Sequence, residues 1–88
     1  MRDAFYSYLV MRGFKEYTSK GRKSTVYSYR NRIDLVCGLE NMTWGQLAEN
    51  IAIILPQYDI GGVNESIGLK SNSTTINALR AFYDFCDQ

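Results

Sequence analysis

The chain has 88 residues, and its ten Lys and Arg against nine Asp and Glu leave a formal net charge of +1. This length allows one small domain, and seven Tyr, four Phe and one Trp are more aromatic content than a disordered segment carries. No apolar run approaches the roughly 20 residues of a membrane-spanning helix, and the first residues do not form a secretory signal. We therefore expect a globular cytoplasmic domain without a membrane partner.

The chain contains no histidine, which excludes imidazole-based metal sites, catalytic triads and acid–base catalysis. Cys37 and Cys86 are far apart and form no CxxC pair, so a cysteine zinc site or a thioredoxin-like motif is also excluded. Each cysteine sits at the apolar end of a predicted helix. We expect two buried, reduced thiols in a reducing cytosol, with a disulfide joining two helices as the alternative, and no metal or cofactor.

The near-neutral total conceals a strong asymmetry of charge along the chain. Residues 1–32 carry eight cations and two anions, a net charge of +6, whereas residues 33–88 carry two cations and seven anions, a net charge of −5. Seven of the cations lie between Arg12 and Arg32, where Glu16 is the only opposing residue. This split predicts a surface that faces a polyanion. The alternative is that these cations keep an exposed loop in water.

The first predicted helix runs from about Arg2 to Arg12. Gly13 follows it as a plausible C-terminal cap, because glycine adopts the left-handed conformation at little cost. We expect residues 14–21 to form a loop with cations on both sides of Gly21, its hinge.

The second predicted helix begins at Ser24 or Thr25, either of which could cap it, and runs to about Cys37, with Gly38 ending it. Its apolar residues recur at helical spacing and form one stripe. That stripe consists of Val26, Tyr29, Ile33, Val36 and Cys37, and the opposite face carries Tyr27, Arg30 and Asn31 with Arg32 on its flank.

The third predicted helix opens with a capping box, in which the side chains of Thr43 and Gln46 each accept a hydrogen bond from the backbone N–H of the other residue. Pro56 should stop or kink this helix near Leu55. The segment 57–73 is the longest irregular stretch and hides at most one short turn.

The last predicted helix opens at Ser73 or Thr74, and its apolar face comprises Ile76, Leu79, Phe82, Tyr83 and Cys86. No alternation of apolar and polar residues predicts a strand. The fold class is therefore all-α, a compact bundle of four main helices. The predicted core is Phe5, Leu9, Tyr29, Ile33, Trp44, Leu47, Ile51, Leu79, Phe82 and Tyr83.

Tyrosines are concentrated near the start of the chain, where rings between cations could form a stacking platform for nucleic-acid bases. Tyr8 and Tyr29 fall on predicted core faces, with their hydroxyls at the surface. Tyr17 and Tyr27 lie among the cations and remain candidate contacts.

Three motifs occur in a recognisable order. Phe5-x-x-Tyr8-Leu9 with a glycine four residues on is followed by Ser24-Thr25-x-x-x-Tyr29-x-x-x-Ile33, and residues 73–85 read STTINALRAFYDF. This order resembles the N-terminal core-binding domain of tyrosine recombinases, the phage integrases. The resemblance covers nearly the whole chain and is weakest between residues 40 and 70.

The resemblance implies a SAM-like helical fold that clamps one side of duplex DNA, and it implies a bacterial or phage origin. In that family basic residues on the helices make the contacts, which would be chiefly to phosphate. By position, the implied DNA-binding residues here are Lys20, Arg22, Lys23, Thr25, Tyr27 and Arg30.

Recombination chemistry in that family needs a catalytic domain with an arginine, a histidine and a nucleophilic tyrosine, for which this chain has no room. We therefore expect a non-catalytic domain, either a fragment of a recombinase or a stand-alone protein of this fold. An enzyme acting alone is not expected without a histidine, a cofactor motif or paired carboxylates.

The alternative function is a stand-alone helical interaction module, an inhibitor or regulator from a mobile element that binds another protein. Its acidic second half could meet a basic partner or mimic a nucleic acid. The residues proposed for that acidic face are Glu40, Glu49, Asp59 and Glu65.

Overall fold

The computed structural model describes all 88 residues, and its secondary-structure elements are all helices. Its elements are α1 (Arg2–Met11), α2 (Thr25–Glu40), α3 (Trp44–Gln57), α4 (Glu65–Gly68) and α5 (Lys70–Cys86). The all-α prediction is confirmed, and the four predicted helices are all present, with the one-turn helix α4 added between the third and the last. Helix α5 packs against each of the other four. None of the five helices combines the length and apolarity needed to cross a membrane.

The end of α1 confirms the predicted cap. Gly13 has a φ of +91°, and its N–H donates to the Val10 carbonyl while the Phe14 N–H donates to the Leu9 carbonyl. These two bonds satisfy carbonyl groups that the helix leaves free at its end, as in a Schellman motif.

The predicted end of α2 at Gly38 is wrong, because the helix continues to Glu40. Asn41 takes the left-handed conformation instead, with a φ of 55°, which asparagine tolerates better than most residues. The Met42 N–H then donates to the Cys37 carbonyl at 2.9 Å. At the other end Ser24 is the N-cap as expected, although its side chain makes no capping bond.

Helix α3 begins at the predicted capping box. The Gln46 N–H donates to Thr43 Oγ1, and the Thr43 N–H donates to Gln46 Oε1 at 2.9 Å. Pro56 lies inside the last turn, and the helix reaches Gln57 rather than stopping near Leu55. A proline tolerated this close to the end removes one backbone bond without breaking the turns before it.

The segment 57–73 contains one helical turn, α4, and then joins α5. Gly68 in α4 lies so close to Tyr58 that a Cβ atom there would collide with the Tyr58 carbonyl. Residues 71–73 at the start of α5 have left-handed dihedral angles. The right-handed part of α5 therefore begins at Thr74, one of the two predicted positions.

The structure has a single hydrophobic core, which contains most of the residues that the sequence predicted to be buried. Tyr29 and Trp44 are half-buried against it, whereas Tyr83 is 41% exposed and its prediction is wrong. Tyr83 faces the flank of α3 that carries Ala48 and Ala52, and alanine side chains are too small to cover a phenol ring. The buried apolar residues are Phe5, Tyr8, Leu9, Val26, Ile33, Val36, Cys37, Leu47, Ile51, Ile54, Tyr58, Ile76, Ala78, Leu79 and Phe82.

Both cysteines are free thiols. Cys37 is buried as expected, whereas Cys86 is half-buried. Burial raises the pKa of both thiols, since a low-dielectric surrounding disfavours the thiolate.

Candidate nucleic-acid interface

The basic segment between α1 and α2 folds into a tight turn. The Thr18 N–H donates to the Arg22 carbonyl at 2.8 Å, and the Gly21 N–H donates to the Thr18 carbonyl at 2.9 Å. Gly21 has a φ of +77°, a conformation that favours glycine. Tyr17 and Lys23 form an antiparallel bridge across the base of the turn. The predicted hinge is thus a fixed turn residue.

Further hydrogen bonds hold this turn against the start of α2. The Thr18 hydroxyl oxygen accepts the N–H groups of Lys20 and Arg22 at 3.3 and 3.2 Å. The Ser24 N–H donates to the Glu16 carbonyl at 2.8 Å, and the Val26 N–H donates to the Lys15 carbonyl. Backbone hydrogen bonds therefore hold the chain on both sides of the turn.

Three of the predicted contact residues, Lys20, Arg22 and Lys23, are exposed on this turn. None of them pairs with a carboxylate, because the two ion pairs of the molecule join Arg2 to Asp34 and Arg80 to Asp59. Their charge is therefore available to an external anion.

Three tyrosines from α1, the turn and α2 form a tyrosine cluster, consisting of Tyr6, Tyr17 and Tyr27. The hydroxyl oxygens of Tyr17 and Tyr27 are 3.0 Å apart, and the rings of Tyr6 and Tyr27 meet edge to face with centroids 5.4 Å apart. The Tyr6 hydroxyl donates to Glu16 Oε1 at 2.5 Å. The cluster links the turn to both long helices beside it.

Two cations lie over the rings of the tyrosine cluster. Lys23 Nζ is 4.9 Å from the centroid of Tyr27. The Arg30 guanidinium lies 5.0 Å from the Tyr6 centroid and 5.3 Å from the Tyr27 centroid. Such cation–aromatic contacts orient a charge without neutralising it. Arg30 is half-buried, and its Nε is buried without a hydrogen-bond partner, so this residue serves packing as well as charge.

The hydroxyls of the cluster differ in acidity. The hydrogen bond with Tyr17 lowers the pKa of Tyr27, and the charge of Lys23 acts in the same direction. The same contact raises the pKa of Tyr17, while the hydrogen bond to Glu16 raises the pKa of Tyr6. The carboxylate of Glu16 therefore favours the neutral form of Tyr6, the donor in their hydrogen bond.

The six residues implied by the resemblance occupy one region of the molecule, on the turn and in the first turns of α2. Thr25 is the first residue of α2 and is half-buried. The contributions of Tyr6, Glu16 and Thr18 were not predicted. A contact between a tyrosine on α1 and a residue on α2 leaves no local signal in the sequence, because it arises only when the helices pack.

Most of the predicted acidic face takes part in internal contacts. The Tyr58 hydroxyl donates to Glu40 at 2.9 Å, Arg80 pairs with Asp59 at 3.1 Å, and the Gly61 N–H donates to Glu65 at 2.6 Å. Of the four proposed residues, only Glu49 has no partner within the chain. These bonds hold the segment between α3 and α5 in place.

Comparison with known proteins found no family model, no curated protein and no solved structure that matches this chain. The function proposed below therefore depends on the residues and geometry of the turn and its surroundings, together with the motif resemblance described above.

Proposed function

We propose that this chain is a non-catalytic DNA-binding domain of the tyrosine recombinase type, which clamps duplex DNA chiefly through phosphate contacts. The observation that carries the proposal is the exposed turn bearing Lys20, Arg22 and Lys23, whose charges have no carboxylate partner. The hydrogen-bonded backbone of the turn holds the attachment points of these cations in place, which reduces the conformational entropy lost when they bind a polyanion. The all-helical fold agrees with the resemblance to the core-binding domain of tyrosine recombinases, and the recombinase part of this proposal depends on that resemblance.

Each residue of the site has a distinct part in this proposal. Lys20 and Arg22 contact phosphate oxygens and release counterions from the duplex. Lys23 and Arg30 add positive potential from their positions over the tyrosine rings. The hydroxyls of Thr25 and Tyr27 donate hydrogen bonds to phosphate or sugar oxygens, contacts that fix position but carry little sequence information.

The test is fluorescence anisotropy with a labelled duplex of about 20 base pairs, titrated with the chain at about 50 and about 200 mM salt. We expect binding in the micromolar range at the lower salt concentration, falling steeply at the higher one. Lys20→Glu should weaken binding by about tenfold or more, because it replaces a phosphate contact with a repulsive charge.

Lys70→Glu is the matched control, since it makes the same charge change at another exposed lysine and should leave the affinity within about twofold. Circular dichroism spectra check that both variants are folded. Absence of binding at the lower salt concentration, or an equal loss in the two variants, would contradict a phosphate-binding turn.

A further inference from the structure

An apolar groove runs along the seam between α3 and α5, away from the tyrosine cluster. It consists of three adjoining cavities of about 440, 240 and 360 Å³. The first two share Ala48, and the last two share Ala52 and Tyr83, so they form one continuous depression. The groove is shaped by Gly45, Ala48, Ala52, Pro56, Tyr83 and Cys86.

The groove exists because one flank of α3 carries small residues. Gly45, Ala48 and Ala52 are spaced three and four positions apart, which places them on the same side of the helix. They leave a large part of the Tyr83 ring uncovered. A concave apolar surface of this kind between two helices is a common binding site for a partner.

The charged side chains around the groove are all acidic. Glu49 and Asp87 are the only charged side chains that line it, Met1 at its end adds the α-ammonium group, and the exposed Asp84 follows Tyr83 on α5. None of these three carboxylates takes part in either of the two ion pairs, whose anions are Asp34 and Asp59. The groove thus combines an apolar floor with an acidic rim, on which the carboxylates outnumber the one ammonium group and form no ion pair.

We propose that this groove binds an amphipathic α-helix of another polypeptide, whose apolar stripe is flanked by lysines or arginines. The stretch from Gly45 to Pro56 is about 16 Å long at the rise of an α-helix, room for about three turns of a partner helix. Apolar anchors at positions i, i+3 or i+4, and i+7 would fill the floor. The basic flanks would meet the acidic rim.

The probe is a fluorescein-labelled peptide of about 14 residues, built from leucine on one helical face and lysine on the other. We expect saturable binding by anisotropy in the micromolar range. A peptide of the same composition in scrambled order, and one with glutamate in place of lysine, should each bind about tenfold more weakly or worse.

Two variants test whether the peptide binds in the groove. Ala52→Arg fills its floor and Glu49→Arg reverses the charge of its rim, both at exposed positions, and each should weaken binding by about tenfold or more. Ser7→Arg is the matched control at an exposed position on α1 and should leave the affinity within about twofold. Circular dichroism of each variant verifies the fold.

Equal affinity for the scrambled or the glutamate peptide would overturn the proposal, as would unchanged affinity in both groove variants. Sedimentation that shows a wild-type dimer dissociated by Ala52→Arg would assign the groove to a second copy of this chain instead. Lys20→Glu should retain full peptide affinity, so that failure of DNA binding and failure of peptide binding are separate results.

Discussion

At the scale of single residues, aromatic packing dominates the interior. Phe82 is fully buried, and its ring meets those of Phe5 and Trp44 edge on, with centroids 5.3 and 5.5 Å apart. Such pairs add to the free energy of burying the ring. This one residue therefore joins α1, α3 and α5.

We expect Phe82→Ala to lower the free energy of unfolding by about 3–5 kcal/mol, because it removes a ring from a closely packed site and leaves a cavity. Tyr83→Ala, at the half-exposed neighbouring position, should cost less than about 1.5 kcal/mol. Urea denaturation measures both. A loss below about 1 kcal/mol in Phe82→Ala would contradict the register of α5.

The sequence predicts burial correctly for residues at the centre of a helix's apolar stripe and incorrectly for residues at the edge of that stripe. Phe82 and Leu79 lie at the centre of the α5 stripe and are buried, whereas Tyr83 lies on its flank and is half-exposed. Spacing alone cannot separate these cases, because burial at the edge of a stripe depends on the size of the side chains opposite.

At the scale of elements, two glycines differ in whether the structure has room for a side chain in their place. Gly68 lies against the Tyr58 backbone with no room for a Cβ atom, whereas a Cβ at Gly38 would have no neighbour within 4 Å. The first is needed for α4 to pack onto the end of α3. The second is an ordinary position inside α2.

We expect Gly68→Ala to destabilise the protein by about 2 kcal/mol or more, since backbone must move to admit the methyl group. Gly38→Ala should instead stabilise it by about 0.5–1 kcal/mol, because alanine favours the helix. Thermal unfolding followed by circular dichroism compares the two. Destabilisation by Gly38→Ala would support the sequence-based prediction that α2 ends there.

At the scale of the whole molecule, a polar network on the surface ties three helices together. Arg2 on α1 donates to both carboxylate oxygens of Asp34 on α2. Trp44 Nε1 on α3 donates to Asp34 Oδ1 at 2.9 Å. The hydrogen bond from Arg2 lowers the pKa of Asp34 below its ordinary value of 3.8, and the bond from Trp44 acts in the same direction.

Because the pKa of Asp34 is lower in the folded state, its carboxylate stabilises the fold at pH values above 3.8. That contribution is lost as the pH falls through the lowered value. Asp34→Asn should therefore cost about 1 kcal/mol at neutral pH, a modest amount because the pair is partly exposed. Urea denaturation near neutral pH and in strong acid should show the two proteins converging in acid. An equal difference at both pH values would contradict this role of the charge.

The sequence by itself determined that four long helices form, the caps at Gly13 and Thr43 and most of the core, because each of these leaves a signal in residues a few positions apart. It also located the cations of the basic turn. Only the tertiary structure decided that Tyr6, Tyr17 and Tyr27 meet and that α3 and α5 leave a groove between them. It also decided that Tyr58 is fully buried with its hydroxyl bonded to Glu40. These features depend on which surfaces face each other after packing, and that arrangement is not encoded in any one stretch of the chain.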